Sequence, residues 1–171
     1  MRIILIGYRA SGKTTLGRLV ADQLDWPLLD VDRGIEQQSG MTLKALFEQG
    51  ETQYREIERQ VVAQMCTQDR TVISFGAGTI IEPANQRIAR DGSLVVYLEL
   101  PAEELWRRIQ ADPNSATTRP NLSCGGINEV VEMLERRSPV YEQCSDLRLD
   151  ATLTPEQLAT KIVSIINQQQ N

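Results

Sequence analysis

Residues 7–15, Gly-Tyr-Arg-Ala-Ser-Gly-Lys-Thr-Thr, constrain the fold more than any other stretch of the chain. Gly7, Gly12, Lys13 and Thr14 match G-x-x-x-x-G-K-[ST], a loop that wraps phosphate oxygens in backbone N–H groups. Its flanks are the ones such a loop needs. Arg2-Ile3-Ile4-Leu5-Ile6 is an apolar, β-branched run that reads as a buried parallel strand. Leu16, Leu19, Val20 and Leu24 recur at helical spacing. The loop through Ala10, Ser11, Gly12 and Thr15, together with the helix N-terminus, is expected to cradle the phosphates of ATP. Lys13 adds a point charge on the β/γ-phosphates, and the Thr14 hydroxyl is placed to ligate Mg²⁺.

The rest of the chain alternates strands with helices. Strands are expected over 26–29, 71–75, 94–98 and 147–149, and helices over 16–24, 35–39, 42–48, 51–66, 84–89, 102–110, 127–144 and 155–167. Such alternation implies a five-stranded parallel sheet covered on both faces, a three-layer α/β/α domain. At 171 residues one domain suffices. Residues 1–32, 70–110 and 145–171 form its core, 33–69 a helical region beside it, and 111–126 an aperiodic excursion expected to act as a mobile lid. Ligands on parallel sheets bind at the C-terminal strand ends. The phosphate loop, Asp30-Val31-Asp32 and Gly76-Ala77-Gly78 all follow strands, so all three belong on one rim.

A net charge of −5 disfavours a nucleic-acid partner. Positive charge rests on 15 Arg and only 3 Lys, and Arg is the side chain suited to planar oxyanions. Cys66, Cys124 and Cys144 show no zinc or redox spacing and read as reduced thiols of a cytoplasmic protein. The chain enters a core strand at once and holds no membrane-length apolar run, so neither a signal peptide nor a membrane span is expected. Histidine is absent, so acid–base work falls to carboxylates or solvent.

Several side chains suggest a site beyond the phosphate loop. Asp30 and Asp32 are expected on the same side of an extended segment, one for Mg²⁺ through water and one for a substrate hydroxyl; as turn residues or a helix cap they would serve the fold alone. Arg137 shares the helical stripe of Val130, Leu134 and Tyr141 while Arg136 is offset toward solvent, so Arg137 faces inward and needs an anion, either a ligand or Glu58. Arg119, in Thr118-Arg119-Pro120, is either a clamp on phosphates or an ordinary loop arginine. Arg55 has Glu51 and Glu58 at helical spacing.

Taken together, the phosphate loop, Asp30-Val31-Asp32, Tyr54-Arg55-Glu56-Ile57-Glu58, Ser74-Phe75-Gly76-Ala77-Gly78, Val96-Tyr97-Leu98, Arg119-Pro120 and Arg136-Arg137-Ser138-Pro139-Val140-Tyr141 resemble shikimate kinase in order and spacing, essentially end to end. The resemblance implies the nucleoside-monophosphate-kinase branch of phosphate-loop folds and transfer of the ATP γ-phosphoryl to the 3-hydroxyl of shikimate, in aromatic amino-acid biosynthesis. It implies that Asp32 binds the acceptor hydroxyls and takes the proton, and that Asp30 holds one Mg²⁺ ion through water. Arg55, Arg137 and the Gly76-Ala77-Gly78 loop would bind shikimate, with Glu58 supporting the arginines. Arg119 would reach the phosphates, and Arg108 and Pro120 would flank adenine. The implied partners are ATP and shikimate, with the protein a monomer. Two positions depart from the family pattern: Ala77, where a glycine is common, and Asn121, where an apolar residue is usual. A kinase for another hydroxy acid such as gluconate, or a nucleotide-binding homologue without turnover, are the alternatives.

Overall fold

The computed structural model describes residues 1–112 and 126–169. Five strands, β1 (Arg2–Ile6), β2 (Leu28–Asp30), β3 (Val72–Ser74), β4 (Ser93–Glu99) and β5 (Leu147–Asp150), form one sheet in the order β2-β3-β1-β4-β5. Every pairing is parallel. The helices described are α1 (Lys13–Leu24), α2 (Val31–Ser39), α3 (Leu43–Gln49), α4 (Glu51–Met65), α5 (Pro83–Arg90), α6 (Ala102–Ala111), α7 (Gly126–Cys144) and α8 (Pro155–Gln169). A 3₁₀ turn spans Thr79–Ile81.

The three layers follow from the central strand. Side chains alternate across a sheet, and β1 is apolar at every position after Arg2, so it supplies both faces. Ile3 and Leu5 join a core with Leu16 and Val20 of α1, Leu105 of α6 and Ile162 of α8. Ile4 and Ile6 join the opposite core with Ile35 of α2, Val62 of α4 and Tyr141 of α7. All four β1 residues are fully buried. Burying a side chain of this size contributes about 1.5–3 kcal/mol, so a polar substitution at any of them would disrupt one layer.

Two helices begin three or four residues earlier than the hydrophobic pattern suggested. Helix α1 starts at Lys13, not residue 16, because the left-handed Gly12 (φ 95°) turns the chain directly into the first helical residue. Helix α2 starts at Val31, not residue 35, because Asp30 caps it, its side chain accepting from the Arg33 N–H. Apolar periodicity is silent on such polar first turns.

The free thiols Cys66 and Cys144 are buried, and burial pushes Cys66 up to about 11. Among the described residues no helix is long and apolar enough to cross a membrane. Arg119, Pro120, Asn121 and Cys124, with most of the expected lid, lie outside the described residues.

Candidate active site

The phosphate loop leaves the C-terminal end of β1, between its neighbours β3 and β4. Its glycines are there for two different reasons. Gly7 (φ 141°) has no room for a side chain, since a Cβ would lie 2.7 Å from the Leu98 carbonyl oxygen. Gly12 needs its left-handed backbone. Ala10 adopts φ 60° without being glycine, a conformation that costs an L-residue about 1–2 kcal/mol. The Lys13 side chain is buried and folds along this loop, its ammonium donating to the carbonyls of Gly7 (2.9 Å) and Tyr8 (2.7 Å). The Thr14 hydroxyl donates to Asp30 Oδ2 at 3.2 Å.

A cavity of about 500 Å³ opens above the loop. Its walls bring together Ala10, Gly12, Lys13, Thr14, Thr15, Asp30, Asp32 and Arg108 from the sequence-predicted residues. Arg9, Ser74, Phe75 and Asp112 also contribute, although the sequence assigned no role to any of them. Gly7 and Ser11 do not line it, and Ser11 is buried. Arg108 is held over the second loop glycine by Glu104 (2.7 Å) and the Ala151 carbonyl (3.1 Å). The same carboxylate binds Arg107, and hydrogen bonds from Arg107 and Arg108 bring Glu104 down to about 2.

Asp30 and Asp32 share this cavity, but not through strand alternation. Asp30 is the last residue of β2 and the N-cap of α2, while Asp32 sits in the first helical turn. The expected extended geometry is therefore corrected: the turn from strand to helix, not a pleat, puts both carboxylates on the rim. Asp30 serves the fold as a cap and also faces Thr14.

A second cluster stands at the far end of the Gly76-Ala77-Gly78 loop. A Cβ on Gly76 would lie 2.6 Å from Asp32 Oδ1 and 2.9 Å from Thr79 Oγ1, so a methyl group there would displace the Asp32 carboxylate or the Thr79 hydroxyl. Two residues on, a Cβ on Gly78 would sit 3.5 and 3.6 Å from the Arg55 Nη atoms and 4.0 Å from Arg137 Nη2. The bare backbone of Gly78 thus faces both guanidinium groups. Gly78 has φ −98° and ψ −12°, ordinary for any residue, and Ala77 is not among the positive-φ residues either. Arg137 also lies over the Tyr8 ring, 5.9 Å from its centroid. Its helix presents it as the stripe predicted, half-buried, with Arg136 exposed.

Buried polar groups brace this cluster. Glu58 is 1% exposed. One oxygen pairs with Arg55 at 2.9 Å and the other accepts from the Thr79 hydroxyl at 2.9 Å. The Thr79 carbonyl accepts from Asn85, itself buried, at 2.9 Å. Burial pulls the Arg55 pKa down, but Glu58 and the nearby Tyr54 and Glu51 more than offset it, and the net shift is upward. Arg55 stays cationic. Thr79, Asn85 and Tyr8 carry no local sequence signal that would have found them, because Thr79 acts on Glu58 and Tyr8 on Arg137, both far away in the chain, and Asn85 acts only through Thr79.

A family model for shikimate kinase matches residues 9–167. The chain is 37% identical over 166 residues to shikimate kinase of Caldicellulosiruptor bescii, covering 95% of this chain and 94% of that one. It is 36% identical to shikimate kinase 2 of Photorhabdus laumondii, covering 96% and 94%. Among solved structures, shikimate kinase from Acinetobacter baumannii in complex with shikimate superposes with a TM-score of 0.89 at 30% identity, covering 98% of this chain and 93% of that one.

Proposed function

This chain belongs to the shikimate kinase family and is an ATP-dependent shikimate kinase, and from that premise we propose how its residues divide the work of moving the ATP γ-phosphoryl to the 3-hydroxyl of shikimate, giving shikimate 3-phosphate and ADP. The observation that carries the assignment is the Gly76-Ala77-Gly78 loop, with Asp32 against one end and the paired guanidiniums of Arg55 and Arg137 against the other. Two residues of chain span at most about 7 Å, a length suited to a six-membered ring with a carboxylate at one side and a reacting hydroxyl at the other. Arg55 and Arg137 hold the carboxylate through planar, charge-assisted hydrogen bonds. Asp32 binds the hydroxyls and takes the proton from the 3-hydroxyl.

The nucleotide side follows from the cavity above the phosphate loop. The backbone of residues 7–15 holds the phosphates, Lys13 places its charge against the β/γ-phosphates, and Arg108 flanks the base. Phosphoryl transfer needs mainly positioning and charge neutralisation, and those are what this wall of the cavity offers. Thr14 and Asp30 suit Mg²⁺: both donate hard oxygen atoms, and their 3.2 Å hydrogen bond orients one against the other. Thr14 would hold the ion directly and Asp30 through water. With ATP bound, Mg²⁺ would supply further neutralisation of phosphate charge.

The roles of Arg119 on the phosphates and of Pro120 beside adenine, and the lid assignment of 111–126, rest on the family resemblance. We further read 33–69 as the acceptor-binding region and 1–32, 70–110 and 145–171 as the core of a cytoplasmic, monomeric enzyme whose partners are small molecules.

An ADP-coupled assay with ATP–Mg²⁺ and a panel of hydroxy acids tests the function. Turnover with shikimate and little with gluconate is expected. Preference for gluconate would overturn the acceptor, and ATP binding with no ADP release for any acceptor would make the chain a nucleotide-binding homologue without turnover.

A further inference from the structure

The Arg-x-Pro-x-Tyr run of α7 ends in a residue for which the site described so far has no use. Tyr141 is fully buried, and burial raises the pKa of its phenol against the opposing pull of Arg137. It therefore stays a neutral hydroxyl with one proton to donate. That proton goes to the Ala77 carbonyl, in the middle of the glycine loop, at 2.6 Å. The phenol oxygen in turn accepts a hydrogen bond from Arg137. One hydroxyl thus joins two parts of the acceptor site that are 60 residues apart in the chain.

The spacing explains why a tether is needed there. Residues four apart share a helix face, so Arg137 and Tyr141 point the same way. Pro139 lies between them inside the helix. Proline has no N–H to donate and crowds the carbonyl four residues back, so the turn that carries Arg137 is one helical bond short. Anchors outside the helix replace it. Tyr97 of β4 packs its ring on Tyr141, with centroids 5.1 Å apart, and hydrogen-bonds the Ser138 side chain.

We infer that Tyr141 is a positioning residue for the acceptor: its phenol ties the Ala77 carbonyl to the Arg137 guanidinium and so sets the gap that the acceptor carboxylate enters. The inference rests on the reading of Arg137 as a carboxylate ligand. It goes beyond that reading in giving the motif's tyrosine a part in affinity for shikimate and not for ATP.

Calorimetric titrations of Tyr141→Phe, Arg137→Lys and the double variant, each with shikimate and with ATP–Mg²⁺, test it. Tyr141→Phe removes only the hydroxyl. It is expected to weaken shikimate binding about tenfold, the scale of one hydrogen bond to a charged group, and to change ATP binding by less than about twofold. Because Tyr141 acts through Arg137, the double variant should bind shikimate no more than about twofold worse than Arg137→Lys alone. Equal losses for both ligands, or additive losses in the double variant, would make Tyr141 a plain core residue and overturn the inference. If Arg137→Lys weakens shikimate binding and Tyr141→Phe does not, the inference alone falls. If Arg137→Lys leaves shikimate binding intact, the carboxylate reading falls and takes the inference with it. Should Tyr141→Phe melt too low for titration, Ser138→Ala cuts the second anchor of the same turn. A loss of about two- to fivefold for shikimate only is then expected, and no change would overturn the inference.

Discussion

Replacing Gly78 by Ala adds one methyl group at a place where the protein itself has room and its acceptor does not. The new Cβ would lie 3.5 Å or more from the Arg55 guanidinium and 4.0 Å from Arg137, ordinary van der Waals contact. The backbone at φ −98° accepts any residue. Folding should therefore gain the usual benefit of narrowing the unfolded ensemble, about 0.4–1 kcal/mol, a rise in melting temperature of about 1–4 °C for a chain of this size. Binding should move the other way. The methyl stands between two guanidinium groups whose nitrogens a carboxylate approaches to about 2.7–2.9 Å, so at least one paired contact is lost. A hydrogen bond to a charged group is worth about 1.5–3 kcal/mol, which converts to a ten- to hundredfold weaker Kd for shikimate. ATP binds across the phosphate loop and should be unaffected. Melting curves and calorimetric titration with each ligand decide it. A more stable protein with unchanged shikimate affinity would place the carboxylate elsewhere and refute the two-arginine assignment.

Other expectations follow from the same geometry. Gly76→Ala should lower both melting temperature and turnover, by tenfold or more on the order of magnitude of a displaced catalytic group, because its Cβ would lie 2.6 Å from Asp32 Oδ1; an unchanged rate would show that Asp32 is not held there for catalysis. Lys13→Ala should cost about 10²-fold or more in turnover, and should also lower the melting temperature, since the Gly7 and Tyr8 carbonyls lose a buried donor; near-normal turnover would remove Lys13 from the transfer step. Ala10→Gly should relieve a left-handed backbone (φ 60°) and raise stability by up to about 1 kcal/mol, read as a higher melting temperature with ATP affinity preserved; a lower melting temperature would refute the strain. Glu104 is held down to about 2 by its hydrogen bonds to Arg107 and Arg108. A depressed carboxyl stabilises the fold above its unfolded value of about 4.3 and loses that contribution as pH falls toward 2. The melting-temperature gap between the native protein and Glu104→Gln should thus be constant near neutrality and close between about pH 4 and pH 2; a gap independent of pH would show the ion pairs contribute nothing.

The sequence and the structure agree best where a local pattern carries the information. The β-branched run of β1, the glycine spacing of the phosphate loop and the placing of Arg137 on the stripe of Val130, Leu134 and Tyr141 are all local, and all appear where expected. Asp30 and Asp32 reach the predicted cavity by a different path, because a cap residue ends the strand one step before alternation would apply. Gly78 has an unexceptional backbone, and the reason for its small size lies in the facing arginines, which the sequence places elsewhere in the chain. Glu58 was expected to support the arginines, but nothing in its local pattern shows that Thr79 closes over it. Burial of that kind depends on a turn that lies 21 residues further along the chain and leaves no mark on the local pattern.

The place of β1 in the sheet also governs when the protein can fold during synthesis. It is the first strand made and the central one, hydrogen-bonded on one side to β3 (Val72–Ser74) and on the other to β4 (Ser93–Glu99). Neither partner exists when Ile3 to Ile6 leave the ribosome. At about 5–20 residues per second, roughly 5 to 20 seconds pass before the end of β4 has been added. Until β3 has been added this apolar segment stays unpaired on both edges, and until β4 has been added on one, a condition that invites aggregation and chaperone capture. The phosphate loop is spliced to the end of that strand, so a nascent chain cannot hold ATP until more than half of it has been translated. Nucleotide is therefore excluded as a template for the early steps and can stabilise only what has already closed.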